Sequence, residues 1–275
     1  MPELPEVETV ARGIAPHILK KNIERVEILN PNLRWPVPHS LIENLENDCI
    51  HTVSRRGKYL LFYTKKGCII AHLGMSGSFY ITHCDTPLKK HDHVLFTLAS
   101  NKMLRYHDPR RFGSILWTET SPFSHKLLSK LGPEPLSVDF HAEYLYNRCQ
   151  KSQRAIKVFI MDACVVVGVG NIYACEALFD SRIHPCLPAN QLSLTQCERL
   201  TDAIRKLLHA AISSGGTTLR DFVNPDSKPG YFKQSLQVYG RQQSPCQDCH
   251  TLIEVIKLGQ RSSFFCPSCQ ENHHT

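Results

Sequence analysis

Four cysteines near the C-terminus carry the most specific chemical signal. Cys246-x2-Cys249 and Cys266-x2-Cys269 are two pairs with 16 residues between them. Four thiolates so spaced can surround Zn2+ tetrahedrally, and the spacer is long enough for a β-hairpin. Residues 252–257 and 262–265 read as its strands, with Gly259-Gln260 at the turn. Four thiolate ligands leave no open coordination position, so the ion would organise the hairpin and do no chemistry. Two pairs outside a βαβ pattern argue against a thioredoxin-like redox motif. Arg261 follows the turn, where its planar fork of donors suits either a phosphate or bulk water.

At the other end stand Pro2, Glu3 and Glu6. A small second residue permits removal of Met1, which would leave Pro2 with a free secondary amine. Such an amine can attack an electrophilic carbon and form an iminium ion. Carboxylates at a helix start also complement the helix dipole, and on the residues alone that account is the better one. Lys58 stands in Arg55-Arg56-Gly57-Lys58 before an apolar run, as a solvated turn lysine or as a phosphate or acid/base lysine. Met75 lies among small residues, as core filler or as a wedge between bases. Arg110, Arg111 and Phe112 follow Pro109, placing phosphate donors and an apolar wedge on one stiffened loop. Gly168-Val169-Gly170-Asn171 opens a helix whose first N–H groups could face phosphate, although the Rossmann pattern is not completed.

The elements that must position these groups fall into two regions. The chain has 275 residues, enough for about two domains of roughly 100–200 residues. Lys plus Arg is 32 against 25 for Asp plus Glu, and the excess of +7 favours a polyanionic partner. No apolar run approaches the roughly 18 residues of a membrane span. The acidic, proline-containing start is unlike a signal peptide, which predicts an intracellular protein. Eight further cysteines, at 49, 68, 84, 149, 164, 175, 186 and 197, are scattered singly, and most read as small buried hydrophobes.

Residues 5–14 predict a short helix limited by Pro16. From 23 to 118, short apolar runs between turn residues predict an antiparallel sandwich or barrel. Proline and glycine cluster over 121–135, which reads as a hinge. Leu194, Cys197, Leu200, Ile204, Leu207, Leu208 and Ala211 form one helical stripe, opened by Ser193 as N-cap with Gln196 three residues on. The polar segment 217–234 reads as a mobile loop.

Taken together these segments resemble the bacterial formamidopyrimidine-DNA glycosylase family, 8-oxoguanine DNA glycosylases with AP lyase activity. The matching pieces are MPELPEVET at 1–9, RRGKYLLF at 55–62, HLGMSG at 72–77, KHDHV at 90–94, DPRRFG at 108–113, VVGVGNIYACEALF at 166–179, GGTTLRDF at 215–222, GYFKQSLQVYGR at 230–241 and QRSSFFCPSCQ at 260–270. They run in family order from end to end. The resemblance implies an α+β multidomain protein. An N-terminal antiparallel β-sandwich with flanking helices spans 1–121, a hinge 122–135, and a helix-two-turns-helix domain 136–235. A four-cysteine zinc finger spans 236–275, and one structural Zn2+ is the implied cofactor. Double-stranded DNA with oxidised bases or abasic sites is the implied partner, bound across an interdomain cleft by a monomeric, cytoplasmic protein of a bacterium, working at the nucleoid.

By the same resemblance Pro2 is the nucleophile at C1′, Glu3 the acid/base partner, and Glu6 a supporting carboxylate. Lys58 matches the lysine assigned to β-elimination and Arg261 the arginine assigned to phosphate binding and δ-elimination. His91, Arg110, Arg111, Asn171, Lys157 and Arg154 are the implied DNA contacts. Met75, Arg110 and Phe112 fill the void left by an extruded base, and the loop 217–231 closes over it. Two departures stand out. Ser152 occupies a place in the usually lysine-rich run before Ala155-Ile156-Lys157, with Lys151 or Arg154 compensating, and the eight scattered cysteines are unusual. The rival readings are an endonuclease VIII-type glycosylase for oxidised pyrimidines and a non-catalytic zinc-containing DNA-binding protein. The 1–9 segment and the long 217–231 loop favour the purine branch.

Overall fold

In the computed structural model, residues 2–99, 101–216 and 236–270 are described. They divide into two compact units, residues 2–130 with 214–216, and residues 131–213 with 236–270. No described helix is long and apolar enough to cross a membrane.

The first unit opens with helix α1, Leu4–Ile18. Eight strands follow with one short helix among them: β1 Ile23–Ile28, α2 Ser40–Leu45, β2 Thr52–Arg56, β3 Tyr59–Tyr63, β4 Cys68–His72, β5 Ser78–His83, β6 Asp92–Leu98, β7 Lys102–His107 and β8 Ser114–Thr118. They make two antiparallel four-stranded sheets, ordered β1-β6-β7-β5 and β2-β3-β4-β8. Val26, Phe79, Phe96, Leu104 and Tyr106 from one sheet meet Leu60, Phe62, Ile69, Ala71 and Ile115 from the other in one core. The same core takes Val7, Val10, Ile14 and Ile18 of α1, so the predicted sandwich is closed on one side by the N-terminal helix. Such a side chain contributes roughly 1.5–3 kcal/mol when fully buried.

Helix α1 runs past Pro16, contrary to the expectation that Pro16 limits it. Proline removes one donor only, and the carbonyl it would have met belongs to Arg12, on the exposed side. The next turn still closes through Leu19 N–H to the Ala15 carbonyl at 3.0 Å, and buried Ile18 holds it to the core.

The second unit contains α3 Ala142–Cys149, α4 Ile156–Ile160, α5 Asn171–Asp180, α6 Leu194–Ser213 and the hairpin β9 Glu254–Leu258 with β10 Arg261–Phe265. The start of α6 is the predicted capping box. Ser193 N–H donates to Gln196 Oε1 at 2.9 Å, and Gln196 N–H to Ser193 Oγ at 3.2 Å. Cys197, Leu200, Ile204, Leu208 and Ala211 of its stripe are buried, whereas Leu194 is exposed. Helix α5 is apolar nearly all round, as befits a central helix. Of the eight scattered cysteines, Cys68, Cys149, Cys175 and Cys197 are buried. Cys49, Cys84 and Cys186 are half-buried and Cys164 is exposed, so the buried-hydrophobe reading covers half of them. The predicted loop at 217–234 and the zinc-finger tail at 271–275 lie outside the described residues.

Candidate active site and nucleic-acid interface

The first unit brings the N-terminal carboxylates to the foot of α1. Pro2 is buried, and Glu3 and Glu6 are 2% and 1% exposed. Glu6 Oε2 accepts the Glu3 N–H at 2.8 Å, closing a capping box around the helix start. Pro5 sits in the first turn, where a missing N–H is harmless. Position 216 closes over the same carboxylate: a Cβ added at Gly216 would stand 3.1 Å from Glu6 Oε1. Glu6 thus touches the chain just ahead of the 217–231 segment, which itself lies outside the described residues.

Lys58 occupies the two-residue turn Gly57-Lys58 between β2 and β3, where Arg56 pairs with Tyr59. Arg55 holds that turn. Its Nε donates to Glu8 Oε2 at 2.9 Å and its guanidinium to the Gly57 carbonyl at 2.9 Å, tying the hairpin to α1. The two glutamate oxygens are shared with Arg12, and these bonds outweigh burial to hold Glu8 below the ordinary carboxylate range. His72, at the end of β4, is pushed down to about 4, by burial first and then by the charges of Lys58 and Arg34. Neutral His72 accepts the Gly74 N–H on Nδ1 at 3.0 Å and so shapes the turn that carries Met75.

Asp108 organises the DNA-facing candidates, and it is fully buried. Its Oδ1 accepts Ser76 Oγ–H at 2.7 Å, and Oδ2 accepts Gly113 N–H at 2.8 Å and Tyr106 O–H at 3.2 Å. Ser76 Oγ in turn accepts the Arg110 N–H at 3.2 Å. The loop of Arg110, Arg111 and Phe112 is therefore locked to the loop of Met75. The approach is close enough that a Cβ at Gly74 would stand 2.4 Å from the Phe112 carbonyl carbon. Arg110 and Arg111 are exposed. Phe112 is 47% exposed, with the Arg110 guanidinium 5.0 Å from its ring. Met75 is half-buried. His91 is half-buried, 5.9 Å from the His107 ring. Partial burial, then the charges of His107 and Lys90, lower its pKa from the ordinary histidine value.

The second unit is assembled around another buried polar group. Lys157 is fully buried. Its Nζ donates to Asn171 Oδ1 at 2.5 Å, to Ser263 Oγ at 2.6 Å and to the Ser262 carbonyl at 3.3 Å. Asn171 Nδ2 reaches the same Ser262 carbonyl at 2.9 Å. Lys157 was expected among the direct DNA contacts, and its burial corrects that: the ammonium joins α4, the start of α5 and β10. Arg261, at the hairpin turn, is exposed. Arg261 and Arg154 line one shallow cavity of about 290 Å³ with Val158, Met161, Asp162, Leu258 and Gly259. Arg154 pairs with Asp162 at 2.9 Å and lies 5.2 Å from the Phe159 ring. Ser152 Oγ accepts from Arg154 Nε at 3.4 Å.

The four cysteines close as predicted. Cys246 and Cys269 sulfurs are 3.9 Å apart, and those of Cys249 and Cys266 are 3.4 Å apart. A tetrahedron with zinc–sulfur bonds of about 2.3 Å has edges of about 3.8 Å. The cysteines form a closed site for one structural Zn2+. Both knuckles are tied to the end of α5: Asp248 pairs with Arg182, and Gln270 Nε2 donates to the Ile183 carbonyl at 2.9 Å.

Three positioning residues escaped the sequence reading. Asp108 and Lys157 stand inside recognisable motifs but were not read as hubs. The third is Glu176 of α5, 2% exposed, which accepts the backbone N–H groups of Gln237, Val238 and Tyr239 at 2.8, 3.0 and 2.8 Å. Burial raises its pKa against the pull of those bonds. The available signal was a lone Glu in the apolar run of α5.

Sandwich, helical unit and four-cysteine hairpin together define a zinc-bearing protein of the nucleic-acid-handling kind. The formamidopyrimidine-DNA glycosylase N-terminal domain matches residues 1–115, the H2TH domain of that glycosylase residues 131–223, and the zinc finger found in FPG and IleRS residues 243–272. The formamidopyrimidine-DNA glycosylase of Marinobacter nauticus is 53% identical over 270 residues, covering 98% of this chain and 100% of the relative. A solved complex of MutM with DNA containing carbocyclic 8-oxo-G superposes with a TM-score of 0.91 at 35% identity, covering 98% of this chain and 100% of that one. A complex of the Lactococcus lactis Fpg with abasic-site DNA gives 0.92 at 35% identity, with the same coverage. The chain belongs to the formamidopyrimidine-DNA glycosylase family.

Proposed function

We propose that the protein is a bifunctional DNA glycosylase and AP lyase of base excision repair, acting on 8-oxoguanine and formamidopyrimidines in duplex DNA. The observation that carries the reading is the N-terminal turn, with Pro2 and Glu3 both buried and the Glu3 N–H held by Glu6. With Met1 removed, the Pro2 nitrogen attacks C1′ and the base leaves with the glycosidic electron pair, taking up a proton. Glu3 donates a proton to the sugar ring oxygen as the ring opens to the iminium. An α-amine ordinarily titrates at about 7.7–8.0, so a usable fraction is neutral near pH 7. The cationic iminium acidifies the C2′ hydrogen. Loss of that proton expels the 3′ phosphate, and a second elimination expels the 5′ phosphate. Lys58 serves the first elimination and Arg261 grips phosphate for the second.

A target base must leave the stack before C1′ is reachable, and a damaged base costs less to extrude. Met75, Arg110 and Phe112 fill the space it leaves. Arg110, Arg111, Arg154, Asn171 and His91 grip the strands, Lys157 sets the hairpin that carries Arg261, and 217–231 covers the extruded base. The protein works as a monomer in the bacterial cytoplasm, at the nucleoid. A nicking assay on one duplex with 8-oxoguanine opposite cytosine and one with an oxidised pyrimidine tests the reading. Cleavage of the first with phosphate left on both ends is expected. Cleavage of the second alone moves the protein to the endonuclease VIII type, and binding without cleavage leaves a DNA-binding protein only.

A further inference from the structure

The segment between α2 and β2 holds three metal-ligating side chains in four residues: Asp48, Cys49 and His51. A carboxylate oxygen of Asp48, the Cys49 sulfur and a ring nitrogen of His51 all lie within 4.8 Å of one another. The Cys49 sulfur is 3.7 Å from His51 Nδ1 and 3.8 Å from Nε2. Zinc bonds of about 2.3 Å to sulfur and about 2.0–2.1 Å to nitrogen at a tetrahedral angle imply about 3.6 Å from sulfur to the bound nitrogen and a clearly longer distance to the other, so the exposed His51 ring turns to present one nitrogen when the ion binds.

A second observation points to a cation. Asp48 is 7% exposed. Its Oδ1 accepts the Cys49 N–H at 2.7 Å, but its Oδ2 is buried with no hydrogen-bond partner among the described residues. It is the one carboxylate oxygen in that condition among the buried side-chain atoms of the described residues. Buried acidic oxygens are ordinarily paired or on a metal.

The backbone holds the cluster from both sides. Ile23 N–H donates to the Asp48 carbonyl at 2.8 Å, Lys20 N–H to the Ile50 carbonyl at 2.9 Å, and His51 N–H to the Tyr63 carbonyl at 2.8 Å. Asn22 and Leu19 bridge to Cys49 and Ile50. The backbone of all three ligands is thus held where the chain after α1 meets the chain before β2. His51 is exposed and Cys49 half-buried, which gives an ion a path in and a position for water.

We propose that Asp48, Cys49 and His51 form a second metal site, a three-ligand Zn2+ site with water as the fourth ligand. One thiolate, one imidazole and one carboxylate suit zinc, whereas magnesium and calcium take oxygen ligands. Binding replaces the Cys49 thiol proton with the ion and releases that proton to solvent. The site lies at the opposite end of β2 from the Lys58 turn, five residues or about 17 Å along the strand. It clips α1's exit to the sandwich and takes no part in cleavage.

The test uses the full chain with its four-cysteine zinc in place. Added Zn2+ is titrated against a chromophoric chelator, and metal per chain is counted after desalting. A second equivalent is expected in the wild type. Cys49→Ser and His51→Ala are expected to lose that equivalent and keep the first, with DNA nicking unchanged. Cobalt in the second position is expected to add a single-thiolate charge-transfer band that Cys49→Ser lacks. A wild type that stops at one equivalent overturns the proposal, as does a second equivalent that persists in both variants.

Discussion

Asp108 in the sandwich and Lys157 in the helical unit are both fully buried, and both hold in place exposed segments that the proposed function sets against DNA. They do so over different spans. The bonds of Asp108 to Tyr106 and Gly113 are local, and its bond to Ser76 joins one neighbouring loop. Lys157 reaches Ser263, 106 residues away, and binds two helices to a hairpin. The carboxylate therefore shapes a loop, whereas the ammonium fixes how a metal-organised module sits on its helices. Loss of the first should be felt locally, and loss of the second across the unit.

The largest effect should come from Lys157→Met. The Lys157 ammonium is the donor to Asn171, Ser263 and the Ser262 carbonyl, and a hydrogen bond to a charged group contributes about 1.5–3 kcal/mol. Thermal unfolding of the zinc-loaded protein should show that loss, and a chelator should strip the zinc faster. Asp108→Asn should cost about 2 kcal/mol, because one oxygen can still accept while the amide faces Gly113 or Tyr106. Its zinc release should match the wild type. Equal zinc lability in the two variants would erase the distinction between a local and a long-range hub.

Acid should act next, through His72. The unfolded chain binds this proton near the ordinary 6.5, and the folded one only near about 4. The neutral ring's contribution is complete above pH 6.5 and is lost as pH falls from 6.5 to 4. His72→Asn should flatten the stability profile in that window. An unchanged slope would remove His72 from the account. The smallest change in stability should come from the exposed arginines. Arg110→Ala and Arg261→Ala should shift stability by less than about 0.5 kcal/mol, while each lowers the salt slope of DNA binding by about one. Unchanged slopes would mean that neither side chain meets phosphate.

Much of this architecture was legible in the chain. The cysteine spacing specified the hairpin, and Ser193 with Gln196 specified where α6 begins, because both signals are local. The short apolar runs between 23 and 118 predicted the antiparallel sandwich that β1 to β8 form. Strand β7 was illegible, since Arg105 occupies a fully buried place among its core residues. It is acceptable there because it donates to the Pro87 carbonyl at 2.9 Å and pairs with buried Asp92 at 3.4 Å. The same limit hid Asp108, Lys157 and Glu176. A polar residue becomes a hub only when partners distant in sequence arrive, and no spacing rule encodes that arrival. The reverse error arose at Lys157, which the resemblance set among the DNA contacts when its place in the fold is the core.

The central claim is that the Pro2 amine is the nucleophile, and Lys58 supplies an internal rival, a primary amine in the same unit. Borohydride reduction during reaction with an 8-oxoguanine duplex, followed by peptide mapping, distinguishes them. The account predicts a reduced adduct on a chain that begins at Pro2, located on the Pro2 nitrogen. An adduct on Lys58, or none while the strand is still cut, would contradict it.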